Sequence, residues 1–494
     1  MSESNTEKII TSDLFGRRNI YTPVDEITPF NVVDEVQSAL IYHFMNMMEE
    51  ERLYWYRRGV QPILQRTKER NSFVLNKPVM NVYEEVVSFK NGFYLPEPAY
   101  YTARNNEAQD RVDRLNEYLY RSGKHAADKE AVNWFHTVGK GVIFVNQTDD
   151  PERPFEAYGV DPRNAFVVYS MKPGNEPVYG VNFVINGGRV YIDVYTRDVV
   201  YKLSGAYDGR LATSEPVRAV TAVAIESTYP QMLDDIPLIE YMYNANCQAA
   251  PEPAITLCDE INNLTANRLD AVEQFVQSLL VITNADLPDG EDANSLKAKG
   301  ILQLYSTGDL KADVEILSEQ LDQTQSQVLI DDLYERILTI CSMPSTTKGG
   351  TSTSDTGQAV LYRDGWQQAA ACAVETEHLF RKSNRHFDRI ILGILRDKGL
   401  LDLSINDFEL KVNRTETANM QSKAQAFQTL LAAGLHPELA AAKSGISNDP
   451  VSDIKRSEKY LQMIWGDPDK PKQEKRSVDI VEEDNNNGES DAQA

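Results

Sequence analysis

Between residues 345 and 360 the sequence STTKGGTSTSDTGQAV sets Lys348, Gly349 and Gly350 among the hydroxyl residues Thr346, Thr347, Thr351 and Thr353, between two apolar helical patterns. A phosphate-binding loop uses the same residue types, but there a glycine precedes Gly-Lys-Ser/Thr and the lysine opens a helix, so that backbone N–H groups surround the phosphates. Here Lys348 comes before its glycines, and that order excludes the cradle. A second Gly-Lys pair, Gly139-Lys140 in HTVGKGV, is followed by Gly141 and runs into a strand pattern, which excludes it as well. His378 and His386 lie too far apart for an i, i+4 metal pair, and HExxH, GxGxxG and GxSxG do not occur. Cys247, Cys258, Cys341 and Cys372 form no CxxC pair and read as reduced core thiols. No catalytic residue, metal or cofactor is expected.

The remaining chemistry is charge. The helical pattern over 254–277 puts Ile255, Cys258, Ile261, Leu264, Ala271, Val272 and Phe275 on one stripe, and Asp259, Glu260, Asp270 and Glu273 opposite, against a single Arg268. A turn, DLPDGEDAN, adds Asp286, Asp289, Glu291 and Asp292. Across the chain 50 Lys and Arg face 74 Asp and Glu, a formal charge of −24. Such a balance argues against a protein that grips nucleic acid by neutralising phosphates, and leaves open one past which DNA must slide.

The elements that would position these residues are mixed, and the fold class expected is α+β. Helical periodicity covers residues 31–70, closed by Gly59, and 107–138. From 140 to 230 β-branched and aromatic residues alternate with polar ones between turn formers such as Asn186-Gly187-Gly188. IPLIEYMYN (236–244) reads as a buried strand that hands over to the helix at 254–277. After it come strand-like SLLVITNA, GILQLYS and DVEILSE. A second helix covers 321–343, with Leu329, Leu333, Ile337 and Ile340 on one stripe, and stops at Pro344. Beyond the Gly/Thr loop a helical pattern runs from 356 to 397, long enough to suggest a kink near Gly365. Alanine-rich helices over 415–465 break at Gly434 to Pro437 and Ser447 to Pro450. The polar, acidic tail from Asp467 has almost nothing to bury and is expected to be disordered. The polar N-terminus and the lack of a long apolar window point to a soluble chain without a membrane partner.

In order along the chain, NVYEEVVSFKNGFYLPEPAYYT (81–102), GKGVIFVNQ (139–147), VDPRNAFVVYS (160–170), VYTRDVVYKL (194–203), IPLIEYMYN (236–244) and DTGQAVLYRDGWQQAA (355–370) resemble segments of the portal proteins of long, non-contractile-tailed bacteriophages. The resemblance spans about 30–465, and the order of the segments carries it. It implies an N-terminal arm (1–30), a wing (31–250), a first stem helix (251–277), a clip (278–320) and a second stem helix (321–343). A tunnel loop (344–356), a long wing helix with a following strand (357–414), a crown (415–466) and the acidic tail (467–494) complete the assignment.

In those terms the chain forms a twelve-fold ring at one capsid vertex, assembled in the host cytoplasm, which admits double-stranded DNA during packaging and releases it at infection. Its partners would be itself, the terminase large subunit, a head-completion adaptor, and the major capsid and scaffolding proteins. Thr346 to Thr353 would touch DNA, Asp259, Glu260, Asp270 and Glu273 would line an acidic channel, and Asp286 to Asp292 would face terminase and adaptor. The rival reading is a cytosolic helical scaffold or adaptor with no DNA channel, which would be a monomer or dimer.

Overall fold

The computed structural model describes residues 16–68, 74–207, 220–276, 279–283, 285–286, 305–306, 313–317, 323–345, 365–412, 420–447 and 450–465. They divide into two compact units, Met1–Asn419 and Met420–Ala494.

The first unit opens with β1 (Ile20–Thr22) and α1 (Val32–Arg57). Asp34 and Glu35 stand in the first turn of α1, where they favour the exposed N–H groups, and Gly59 at φ +91° turns the chain away after it. Next come α2 (Val82–Tyr94), β2 (Tyr100–Ala103), α3 (Gln109–Arg121) and α4 (Lys124–Val138). The sequence pattern over 107–138 reads as one helical run, but the structure breaks it. Gly123 takes φ +78°, a left-handed conformation that stops α3 and starts α4 in a new direction.

Strands β3 (Lys140–Gln147), β4 (Phe155–Val160), β5 (Ala165–Ser170), β6 (Pro177–Asn186), β7 (Arg189–Tyr195), β8 (Val199–Tyr207), β9 (Val220–Pro230) and β10 (Leu238–Met242) make two sheets. The larger runs β1-β5-β6-β7-β8-β9; the smaller runs β10-β3-β4. Alternation decides the faces of the larger sheet: Tyr179, Val181, Phe183, Val190, Ile192 and Val194 are buried, while Val184 and Tyr191 between them are exposed. Gly187 and Gly188, both at positive φ, make the two-residue turn between β6 and β7. The buried face receives Val32, Val36, Ala39, Leu40 and Phe44 of α1.

The small sheet is covered by α4 and by α7 (Trp366–Asp397). Phe380, Phe387, Ile390, Ile391 and Ile394 of α7 pack into a core with Phe135, Ile143, Phe155 and Tyr241. Gly365 at φ +84° stands at the start of α7, so the described helix begins at Trp366; residues 346–364, over which the sequence pattern extends, lie outside the described residues. After α7, β15 (Phe408–Lys411) pairs with β2.

This core holds a polar knot. The Tyr101 hydroxyl donates to the Asp388 carboxylate, Asn384 Nδ2 donates to Tyr101 Oη (2.6 Å) and to Asp388 Oδ1 (3.0 Å), and Tyr241 donates to Asn384 Oδ1 (3.3 Å). Burial raises the Asp388 carboxyl to about 7, against the pull of Tyr101 and the Lys124 ammonium. A folded state that holds its proton this firmly is favoured at low pH, so this contribution is fully present below the ordinary carboxylate range and is lost as pH rises toward 7. Asp388→Asn should therefore be most favourable relative to the parent above pH 7 and least favourable near pH 4. Urea unfolding of both chains at the two ends of that window reads this; an unchanged difference would show that Asp388 titrates in the folded chain as it does in the unfolded one.

Helices α5 (Ile255–Val276) and α6 (Gln323–Ile340) flank four short strands. β11 (Leu279–Thr283) pairs with β14 (Asp313–Leu317), and β12 (Ala285–Asp286) with β13 (Tyr305–Ser306). Thus the LLVIT segment of SLLVITNA pairs within the chain with the DVEIL segment of DVEILSE. The second unit contains α8 (Met420–Ala432), α9 (Pro437–Ser444) and α10 (Pro450–Trp465), broken at the two points that the sequence marks.

Candidate functional site

Helices α5 and α6 pack on each other, and the N-terminal end of α5 and the C-terminal end of α6 are embedded in apolar core. Ala254, Ile255, Cys258 and Ile261 of the first end, and Ile337, Leu338, Cys341 and Met343 of the second, join Leu53, Tyr56, Val82, Tyr83, Val86 and Val87 in one buried cluster. All four cysteines are free; Cys247, Cys258 and Cys341 are buried, and burial pushes the Cys258 and Cys341 thiols up to about 12, which leaves them unreactive. Apolar side chains on the pair are nevertheless exposed: Leu269 of α5 by 44%, and Val328, Leu329 and Ile340 of α6 by 62%, 46% and 47%.

The four carboxylates on α5 do not act as one face. Asp270 is buried and turned toward the subunit's own Arg66, Lys68 and Asn76. It accepts from Arg66 Nη1 (2.8 Å), from the backbone N–H of Asn76 (2.8 Å) and its Nδ2 (2.9 Å), and pairs with the Lys68 ammonium. Burial opposes its charge, but Lys68, Asn76 and Arg66 together override that and hold the carboxyl down to about 2. Glu273 accepts from the same Asn76 amide (2.9 Å). Asp259 accepts from the Tyr56 hydroxyl (2.7 Å) and is half-buried; burial raises its carboxyl above the ordinary range. Only Glu260 stands free on the exposed side. The acidic side expected at these four positions is thus mostly an anchor: Asp270 and Glu273 tie α5 to the segment after α1, and Asp259 ties it to Tyr56 of α1 itself.

That anchor was not legible in the helix itself. Its partners Gln61, Arg66, Lys68 and Asn76 come from an irregular stretch, in which Gln61 also accepts from the fully buried Asn262 of α5 (2.6 Å). The available signal was the run Arg66-Thr67-Lys68, a local excess of cations in an acidic chain.

A second anchor joins the two sheets. Glu240, from the IPLIEYM strand, accepts from the Val167 N–H (3.0 Å) and the Tyr169 hydroxyl (3.0 Å) of β5, and its Oε2 lies 3.3 Å from the Lys140 ammonium. Lys140 is 5% exposed and Glu240 4%. Burial works against the Lys140 charge, and Glu240, with Cys247 and Glu50, more than restores it. Gly139 takes φ +94°, and a Cβ there would lie 1.9 Å from the Cys247 carbonyl oxygen. The Gly-Lys pair that imitates a phosphate loop is therefore a close backbone crossing followed by a buried ion pair.

Thr346, Thr347, Lys348, Gly349, Gly350, Thr351 and Thr353 lie outside the described residues, as do Asp289, Glu291 and Asp292. Asp286 is placed as a backbone position in β12. Among the described residues no cluster of His, Cys, Asp and Glu is placed to hold a metal ion, and no helix is long and apolar enough to cross a membrane.

A search of curated proteins finds no match. A family model described as "Phage portal protein, SPP1 Gp6-like" matches residues 43–465, which takes in strands β2 to β15 and helices α5 and α6 with the strands between them. With a match over most of its 494 residues, the chain belongs to the SPP1 Gp6-like family of phage portal proteins.

Proposed function

We propose that the chain closes into a twelve-membered ring whose channel passes double-stranded DNA during packaging and ejection, and whose outer end docks terminase and then the head-tail connector. The family is structural and its members stand at a capsid vertex. What supports the ring is the α5–α6 pair. One subunit leaves Leu269, Val272, Val328, Leu329 and Ile340 exposed on it, a larger apolar surface than two solvated helices need. Copies packed side by side through these residues would cover them, and a heterologous contact of this kind closes into a ring.

In that ring Glu260, with Asp331 and Asp332 of α6, supplies acidic charge that keeps DNA from adhering, while Lys348 in the 344–356 loop makes a weak phosphate contact. The strands between α5 and α6, with Asp286 to Asp292, form the clip that neighbouring copies and docking proteins meet.

Replacing Leu329 and Ile340 together by aspartate tests the assembly. Both are exposed in the subunit, so the fold should stand while the ring dissociates into species near 55.7 kDa. Native mass measurement and circular dichroism read the two effects separately. A variant that assembles like the parent would remove α6 from the subunit contact.

A further inference from the structure

Helix α7 carries a row of basic side chains that the channel reading does not use. His378, Lys382, Arg385, Arg389 and Arg396 are all exposed. Their spacings of four, three, four and seven residues keep them within roughly 60° of arc, and a rise of 1.5 Å per residue spreads Lys382 to Arg396 over about 21 Å. Among the described residues no carboxylate pairs with Lys382, Arg385, Arg389 or Arg396, whereas Arg381, just off the row, is held by Glu377 and by Glu409 at 2.7 Å. The acids nearest the row are few. Asp235 is occupied by His386 (3.2 Å), lies 3.7 Å from Arg197 and also feels Arg389 electrostatically; Asp234 reaches the helix at Gly393; Glu375 and Asp397 stand at the two ends. On a chain of −24 this is a concentrated exception.

The composition of the row says what it fits. No large apolar side chain is exposed on α7 between His378 and Arg396, so the face lacks the apolar centre on which a protein interface is built. It has no exposed aromatic on which a base would stack. Unpaired arginines and lysine in a straight line suit phosphate oxygens, which fix position without reading sequence.

We infer that this face of α7 is a sequence-independent docking strip for the backbone of double-stranded DNA, distinct from the 344–356 loop and from the α5 carboxylates. The channel reading enters only by making DNA the polyanion at hand.

The test uses the purified full-length protein and a labelled duplex, followed by fluorescence anisotropy across salt. Four phosphate contacts predict a slope of about −3.6 in log affinity against log salt. Joint replacement Lys382→Glu, Arg385→Glu, Arg389→Glu and Arg396→Glu should weaken binding by more than about tenfold and flatten the slope, with glutamine at the same sites falling between. Glutamate at the exposed Arg104, Arg114, Lys129 and Arg189 should leave the slope as it was. Equal melting curves establish that each variant is folded. Absence of duplex binding by the parent at about 50 mM salt, or an equal loss in the control variant, overturns the strip. Row-dependent binding of polyglutamate but not of duplex overturns it in favour of an acidic protein partner. If the row variant binds duplex like the parent while rings still form, the strip fails and the portal reading stands; a parent without rings fails that reading and leaves the strip measurable.

Discussion

Glu240→Ala should destabilise the first unit by about 3–5 kcal/mol, because it strands a buried ammonium. Lys140 has its Nζ 3.3 Å from Glu240 Oε2 and is 5% exposed, so water cannot replace the lost carboxylate. The same change removes the acceptor of the Val167 N–H and the Tyr169 hydroxyl, which cross from β5 to β10. An unsatisfied buried donor costs about 1–3 kcal/mol on its own account. Urea unfolding gives the value. The double variant Lys140→Met with Glu240→Leu, which removes both charges at similar volume, should recover the part of the loss due to the stranded ammonium, while the Val167 N–H and the Tyr169 hydroxyl stay without their acceptor. A single variant that costs less than about 1 kcal/mol would show that Lys140 finds water or another carboxylate, contrary to the geometry described.

Asp270→Ala should cost about 2–4 kcal/mol, since it releases two cations and two amide donors of Asn76 in a buried position. This carboxyl is held down to about 2, so its contribution is present above the ordinary carboxylate range and is lost as pH falls toward 2. The parent should therefore lose more stability than Asp270→Ala between about pH 4 and pH 2. That sign is opposite to Asp388, and the pair of variants separates the two carboxyls in one acid titration. The consequence extends to assembly. Asp270, Glu273 and Asp259 fix the direction in which α5 leaves the core, and copies that meet through α5 and α6 need that direction to be uniform. Weaker ring formation by Asp270→Ala, at a pH where the subunit is still folded, is the expected second effect.

Much of the architecture was written in periodicity. Alternation in 177–195 gave the two strands, and Asn186-Gly187-Gly188 the turn between them, because a sheet with one covered face forces period two. The end of α1 at Gly59 was legible as a local break, whereas α6 stops at Ile340, before Pro344, where Ser342 at φ +52° turns the chain. The break at Gly123 was less so, since an isolated glycine in a polar helical pattern does not reveal that it will take a left-handed conformation.

The site was legible only in outline. That α5 has an acidic side is a local fact, but whether Asp270 meets water or Arg66 depends on a contact between residues about two hundred positions apart. Helical spacing cannot distinguish these outcomes. Net charge misled in a similar way: −24 describes the chain as a whole, and the row from Lys382 to Arg396 appears only when exposure and pairing are known for each side chain.

If this subunit is one segment of a closed ring, negative-stain images of the purified full-length protein should show ring-shaped particles of several hundred kilodaltons with a stain-filled central hole, built from subunits of 55.7 kDa. Monomers or dimers at all concentrations, with no annular particles, would contradict it.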